Sequence, residues 1–375
     1  MMNTLMFFIL CLVTSSIGHT VDGAYIMSKE DLEFERQLSL INKPPIKSIH
    51  TELGYIVDCV DINKQPAFDH PLLKNHKLQT KPSFEVNSPT KSIYALERVS
   101  CPEGTVPIRR TTKDDLIRDK SLFDNHNLTQ NNIRRFDAKV FVISKAGPFY
   151  GVSGTTSVYH PIVVLGQDSS SHLYVQNGAN TIVVGWHVSP QLYNNGNTHI
   201  YSFWRSDNLK TGCYNTRCAG FVQTSHAYYV GSSVLRTSTY GGIMVDLGIN
   251  LIQDPASHNW WLSVANVMIG YFPAHLFSNL VQATEVGWGG STVSPIATVP
   301  SMGSGHFPDG NYAHACYFKY ISYQTASRKN IGPEIYNTGT FNDAPKCYQI
   351  EYNGDQKGRV GNVIQFGGPG GNCAN

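Results

Sequence analysis

Charge is scarce in this 375-residue chain: 15% of residues are Asp, Glu, Lys or Arg, and they balance to a formal +2. Such a balance points to neither nucleic acid nor an acidic partner. Beyond the first residues no apolar run is long enough to span a bilayer, so no membrane segment is expected. The G-x-S-x-G elbow, the H-E-x-x-H helix, the phosphate-binding P-loop and the dinucleotide fingerprint are all missing. Repeated C-x-x-C pairs are missing too, and no His stands close enough to a Cys to complete a zinc site. Neither a metal nor another cofactor is therefore expected. The lone histidines 160, 187, 199, 226 and 258 read as surface or hydrogen-bonded residues rather than ligands.

What is present begins with an apolar stretch, Leu5 to Val13, followed by the small residues Ser15, Ser16, Gly18, Gly23 and Ala24. This reads as a signal peptide over residues 1–23, although Met1-Met2-Asn3-Thr4 carries no positive charge. Secretion to the extracellular space follows as an expectation. Residues 24–130 hold 15 basic and 15 acidic residues, whereas residues 131–375 hold only 14 and 11 together with all five Trp. That shift divides the mature chain into a charged first region and a charge-poor, Gly- and Tyr-rich second one. Asn127-Leu128-Thr129 is an N-glycosylation sequon at the change, which places an exposed linker there.

Eight Cys are present, and Cys11 lies in the signal segment. In an oxidising compartment the other seven read as three disulfides and one leftover thiol. Cys213–Cys218 would clip a hairpin, Cys347–Cys373 would tie down the C-terminal tail, and Cys59–Cys101 would staple the first region. Cys316 is left as a small buried thiol.

Residues 28–42 predict a helix. Ser28 is its cap, Glu30 and Asp31 suit its positive end, and Pro44-Pro45 stops it. From about Phe136 the period changes to two. Val140–Ile143, Ile162–Leu165 and an alternation over Ile243–Ile252 predict short strands, the last with one buried face. Turn clusters separate them, and only Pro273–Gln282 looks briefly helical. The fold expected is mainly β: an antiparallel β-sandwich over 131–375, preceded by a smaller mixed α/β pro-region.

Several segments carry a resemblance. In the first region these are Gly54 to Ile62 (GYIVDCVDI) and Lys64 to Leu73 (KQPAFDHPLL). In the second they are Gly185-Trp186, Val188-Ser189-Pro190, Thr211 to Asn215 (TGCYN), Trp260-Trp261, Trp288-Gly289-Gly290, Met302 to Pro308 (MGSGHFP) and the terminal Gly-Gly-Pro-Gly. In kind, order and spacing they resemble the neprosin family of plant secreted proteins. The resemblance implies a glutamic endopeptidase that cuts at proline in acid and carries its two catalytic glutamates on a β-sandwich. It also implies a pro-region that covers the cleft and is removed on acidification.

Carried over by motif, both glutamates are absent. Val183 stands where the first would precede Val184-Gly185-Trp186, and Gly287 where the second would precede Trp288. An alkyl group and a bare backbone carbon cannot handle protons, so the family mechanism is expected to be silent. Glu285 is a weak substitute, two residues from Gly287 on the same strand face, and an active proline-directed peptidase using it is the alternative. Trp186, His187, Tyr193 and Trp288 are candidates for a cleft that binds proline-rich peptides or cell-wall glycoproteins in the apoplast without cutting them. The chain's own pro-region is the other expected partner.

Overall fold

The computed structural model describes residues 29–85, 95–118, 133–207, 211–358 and 360–373. The expected signal segment over residues 1–23, Ser28 and Asn127 lie outside the described residues. Helix α1, Lys29–Ile41, matches the predicted helix and buries only Phe34. Strands β1 (Lys47–His50), β2 (Ile56–Asp61) and β3 (Thr105–Arg109) form a small antiparallel sheet in that order. The Cys59–Cys101 disulfide bridges 42 residues from β2 to the segment leading into β3.

The rest is a β-sandwich. Its first layer runs β18-β4-β14-β6-β7-β8-β9. These strands are β4 (Arg134–Val142), β6 (Asp168–Asn177), β7 (Asn180–Val188), β8 (Thr198–Ser206), β9 (Thr211–Tyr214), β14 (Glu285–Ser294) and β18 (Thr338–Asn342). The second layer runs β10-β13-β12-β11-β5-β16-β20-β19. It comprises β5 (Gly151–Ser157), β10 (Val222–Gln223), β11 (Asp246–Gln253), β12 (Trp260–Val264), β13 (Val267–Phe272), β16 (Cys316–Gln324), β19 (Gln349–Asp355) and β20 (Asn362–Gly367). β17 (Asn330–Ile331) pairs with β16, and β15 (Thr298–Val299) pairs with β21 (Gly371–Asn372). All described pairings are antiparallel. Among the described residues no helix is long and apolar enough to cross a membrane.

Period two decides which side chains meet between the layers. Ile182, Val184 and Trp186 of β7 point inward with Val286 and Trp288 of β14, all fully buried. Leu247, Ile249 and Leu251 of β11 face them from the second layer. The Trp186 Nε1–H donates to the Ser157 carbonyl and the Trp288 Nε1–H to the Ser153 carbonyl, both at 2.9 Å. Both indoles thus grip one strand, β5, of the opposite layer.

Three sequence expectations need correction. Ile162–Leu165 is a loop whose Ile162 is 85% exposed, because the neighbouring Pro161 and the Gly166 turn deny it a ladder. The strand expected from Ile243 begins at Asp246, and both of its faces are buried, since its outer face is covered as well. Within Pro273–Gln282 only the 3₁₀ turn Ala274–Leu276 forms. The other two bridges, Cys213–Cys218 and Cys347–Cys373, are formed, and Cys316 is buried with a free thiol. Burial pushes that thiol up to about 12, so it stays protonated and inert.

The described N-terminal residues dock on the outer face of the second layer and along its edge. Ala67, Phe68, Leu78 and Phe84 cover Trp261, Tyr271 and Val222, so these outward-pointing residues are buried. Gln79 is the polar hub. Its side-chain oxygen accepts from Ser257 Oγ and Asn259 Nδ2 at 2.8 Å and from Trp261 Nε1 at 3.2 Å, while its Nε2 donates to Asp254 at 3.1 Å. Gln65 and Gln223 exchange a reciprocal pair: Gln223 N–H donates to Gln65 Oε1 at 2.8 Å and Gln65 Nε2 to the Gln223 carbonyl at 3.0 Å. Leu73, Ala95 and Leu96 belong to the main core itself.

Two outcomes follow from that docking. Residues 131–375 expressed alone will aggregate or melt without cooperativity, because Trp261 and Tyr271 lose their cover; a soluble product with a sharp thermal transition would contradict this. Gln79→Ala in the full chain strands several buried donors and should cost about 3 kcal/mol, read from the shift of the urea midpoint.

Candidate functional site

Because Trp186 and Trp288 point inward, the residues one and three positions away point outward, onto the outer face of the first layer. The strand registers lay out that face in rows. One row reads Phe141, Gly287, Tyr174, Val183, Phe203 and Tyr214 across β4, β14, β6, β7, β8 and β9. The next reads Lys139, Gly289, His172, Gly185 and Tyr201, and the one after it Asp137, Ser291, Ser170, His187 and His199. Val183 and Gly287 therefore flank Tyr174, one strand away on either side and roughly 10 Å apart at Cα.

Gly185 and Gly289 stand on either side of His172. A Cβ built on Gly185 would lie 2.0 Å from the Ser171 carbonyl oxygen, and one on Gly289 would lie 2.1 Å from that of Ala138. Only glycine permits this close backbone approach at the centre of the face.

Tyr174 occupies the space that Gly287 leaves. A Cβ at 287 would meet Tyr174 Cε1 at 2.6 Å and its hydroxyl at 2.7 Å. That hydroxyl donates to Glu285 Oε1 at 2.6 Å, and Lys139 Nζ lies 3.7 Å from the same oxygen. The Lys139 ammonium also sits over the rings of Tyr174 (4.9 Å) and Phe341 (5.7 Å). Burial, reinforced by the Glu285 charge, drives the Tyr174 phenol well above its ordinary value, so it remains a donor to that carboxylate. Glu285 is thereby held away from the position it was considered to replace.

His187 lies fully buried at the other end of the face. Asn215 Nδ2 donates to Tyr193 Oη at 2.9 Å, and Tyr193 Oη lies 2.7 Å from His187 Nε2. With the phenol donating, the imidazole proton falls on Nδ1, 3.1 Å from Asp168 Oδ2 but too poorly aligned for a hydrogen bond. The imidazole stacks on Tyr201 at 4.1 Å, and Tyr193 stacks on His199 at 3.7 Å. His172 and His199 are both pushed down to about 3, in each case mainly by burial, with the charges of Arg135 and Lys139 adding to it for His172.

Of the four residues expected in a cleft, Trp186 and Trp288 are interlayer core, 0% exposed, with their indole N–H groups satisfied on β5. His187 is on the outward face, and Tyr193 lies in the turn Pro190–Tyr193 against the N-terminal region. The aromatic surface of the face comes instead from Phe141, Phe203 and Tyr214, all half-buried. Phe141 stands between the buried Val140 and Val142 and Phe203 beside the buried Trp204, the local alternation that places both on the outer face. Asp168 was also overlooked, since no local pattern in β6 marks it.

Three carboxylates belong to this face. Asp137 pairs with Arg135 Nε at 3.2 Å, Glu285 is held by Tyr174, and Asp168 stands beside His187. Glu285 pairs in register with Gln176, eight residues along β6 from Asp168, a separation of roughly 25 Å. Those two cannot share one scissile bond.

The site thus belongs to a two-layer β-sandwich whose outer face carries Tyr174 between Gly287 and Val183 at its centre, with an N-terminal region docked behind it. Residues 165–369 match the Neprosin family, and residues 48–147 match the Neprosin activation peptide. The chain belongs to the neprosin family. The activation-peptide match runs through β4, which is already an inner strand of the first layer. Among solved structures the chain is similar to scytalido-glutamic peptidase with a transition-state analogue inhibitor, at 8% identity and TM-score 0.37, covering 62% of this chain and 98% of that one. It is also similar to SCP-B, a member of the eqolisin family of peptidases, in complex with the tripeptide Ala-Ile-His, at 7% identity, TM-score 0.35 and the same coverages.

The buried histidines set a pH dependence. Their folded values lie below the unfolded 6.5, so the unfolded chain takes up protons first as pH falls. Stability is complete above about pH 6.5 and declines from there toward about 3, by up to about 1.4 kcal/mol per pH unit for each of His172 and His199. Urea denaturation from pH 7 to pH 4 should show the decline, and His172→Gln should flatten it. Gly287→Glu should lower stability by about 1–3 kcal/mol through overpacking against Tyr174. In the Tyr174→Ala background the same change should cost less, as a double-mutant cycle will read.

Proposed function

We propose that this chain is a secreted, catalytically silent member of the neprosin family that binds extended, proline-rich chains on the outer face of its first layer without cutting them. The observation that carries this reading is the row Gly287–Tyr174–Val183: at the two positions assigned to the family glutamates there is no carboxylate, and a tyrosine ring fills one of them. Hydrolysis by the family mechanism needs two acidic groups acting on one peptide bond. Here the acidic groups of the face are tied to Arg135, to Tyr174 and Lys139, or set beside His187.

Binding is supported by Phe141, Phe203 and Tyr214, half-buried aromatics of one row that crosses six strands. Aromatic faces suit proline rings, and a partly exposed row of them offers apolar area without a deep pocket. Cell-wall glycoproteins rich in proline are the class of partner such a face would take. Secretion is supported by the amino-terminal apolar segment and by three disulfides, which belong to an oxidising compartment.

The test is an acid-pH incubation of the purified protein with a proline-containing fluorogenic peptide, alongside Glu285→Gln and Asp168→Asn. No cleavage is expected in any of the three. Cleavage by the parent chain that either variant abolishes would overturn the silent reading and establish a peptidase with displaced acidic groups. Proline-rich peptides should bind at sub-millimolar concentration and lose affinity about tenfold in Phe203→Ala.

A further inference from the structure

A small cavity lies where the N-terminal region meets the sandwich, lined from one side by Arg109 and Thr111 and from the other by Asn215, Thr216 and Arg217. Arg109, the last residue of β3, is held in place by its surroundings. Its Nη2 donates to the Tyr193 carbonyl at 2.8 Å, and its guanidinium lies over the rings of Tyr55 (4.6 Å) and Tyr193 (5.2 Å). Its other terminal nitrogen, Nη1, is buried and has no hydrogen-bond partner. A stranded N–H on a cation is costly, and in native proteins such a group normally faces a water or an ion.

The adjacent arginines are satisfied differently. Arg110 pairs with Asp58 at 2.5 Å, and Arg118 pairs with Asp115. Asp115 is the one carboxylate lining the cavity, and its Oδ2 also accepts from Thr112 N and Thr112 Oγ1 at 2.8 Å. Among the described residues, no carboxylate is ion-paired with Arg109. Across the cavity the Arg217 Nη1 donates to the Leu192 carbonyl at 2.9 Å, which orients a second guanidinium toward the same space. Both charges bear on the buried Tyr193 phenol between them.

We propose that this cavity binds a small oxyanion, held by the Arg109 fork and the Arg217 guanidinium with the Thr111 and Thr216 hydroxyls at its rim. A water could satisfy Nη1 but would leave the Arg109 charge without a counter-ion among the described residues; a carboxylate, phosphate or sulfate supplies both, and the planar fork matches its oxygens. Since the lining comes from the N-terminal region and the sandwich together, occupancy stabilises their docking by mass action. The site is separate from the outer face of the first layer and stands whether or not that face binds peptides.

The experiment is thermal denaturation of the full chain at pH 7 in titrations of sodium phosphate, sulfate and acetate, with ionic strength held constant by NaCl. A saturable rise of Tm at millimolar concentration is expected for at least one of the three, and which of them acts separates tetrahedral oxyanions from carboxylates. Arg109→Lys keeps the charge but removes the fork and should weaken the response at least tenfold; Arg217→Gln should do the same. Equal Tm values in oxyanion and in NaCl would overturn the proposal. So would a linear, unsaturating rise that Arg109→Lys shares, since that is a general salting effect. If Arg109→Lys does not fold, crystals of the parent chain soaked in selenate and in bromoacetate decide: anomalous density of either against Arg109 Nη1 supports the site, and its absence from both refutes it.

Discussion

Two indole N–H groups on one strand of the opposite layer hold this structure in register. Trp186 and Trp288 each donate to a β5 carbonyl, at Ser157 and at Ser153, and both side chains are wholly buried between the layers. A buried indole N–H without an acceptor would be costly, so β7 and β14 are held in the register that satisfies both. Everything on the outer face of the first layer inherits that register. Slipping either strand by one residue would carry Val183 or Gly287 into the core and bring a tryptophan out.

The identities at the centre of the outer face depend on one another. Glycine at 287 is the space into which Tyr174 fits, and the placement of Tyr174 brings its hydroxyl to Glu285. Lys139 completes the set by lying over the Tyr174 ring near the same carboxylate. An acidic side chain cannot be placed at 287 without displacing the tyrosine, so a change at one residue of this centre requires changes at the others. At the two flanking glycines, 185 and 289, backbone carbonyls come closer still, at 2.0 and 2.1 Å, whereas at 287 the Val140 carbonyl oxygen stands at 2.7 Å beside the Tyr174 ring.

The N-terminal region serves the fold as a third layer. Its described residues lie behind the second layer, burying Trp261 and Tyr271, and they contribute Leu73, Ala95 and Leu96 to the main core. An exposed sheet face bearing Trp and Tyr is an aggregation hazard, and this region covers it. The two N-terminal signatures have structural roles of their own: Lys64–Leu73 supplies Ala67 and Phe68 to the back of the sandwich and Leu73 to its core, and Gly54–Ile62 builds the central strand of the small sheet with its Cys59 bridge.

Much of this was open to reading from residues alone. The helix at Lys29–Ile41, the change to period two near β4, the three disulfides and the buried Cys316 follow from local chemistry: proline stops, alternation and the pairing of thiols in an oxidising compartment. That Val183 and Gly287 carry no carboxylate is likewise a matter of sequence. Tertiary structure alone decided which face each tryptophan takes, because aromatic residues next to a catalytic motif suit a cleft and a core equally well. It also decided that Ile162–Leu165 stays in solvent, that both faces of β11 are buried, and that Tyr174 meets Glu285 across neighbouring strands. Residues distant in sequence are brought together only by strand pairing, and no local pattern encodes a contact whose two halves lie 111 positions apart.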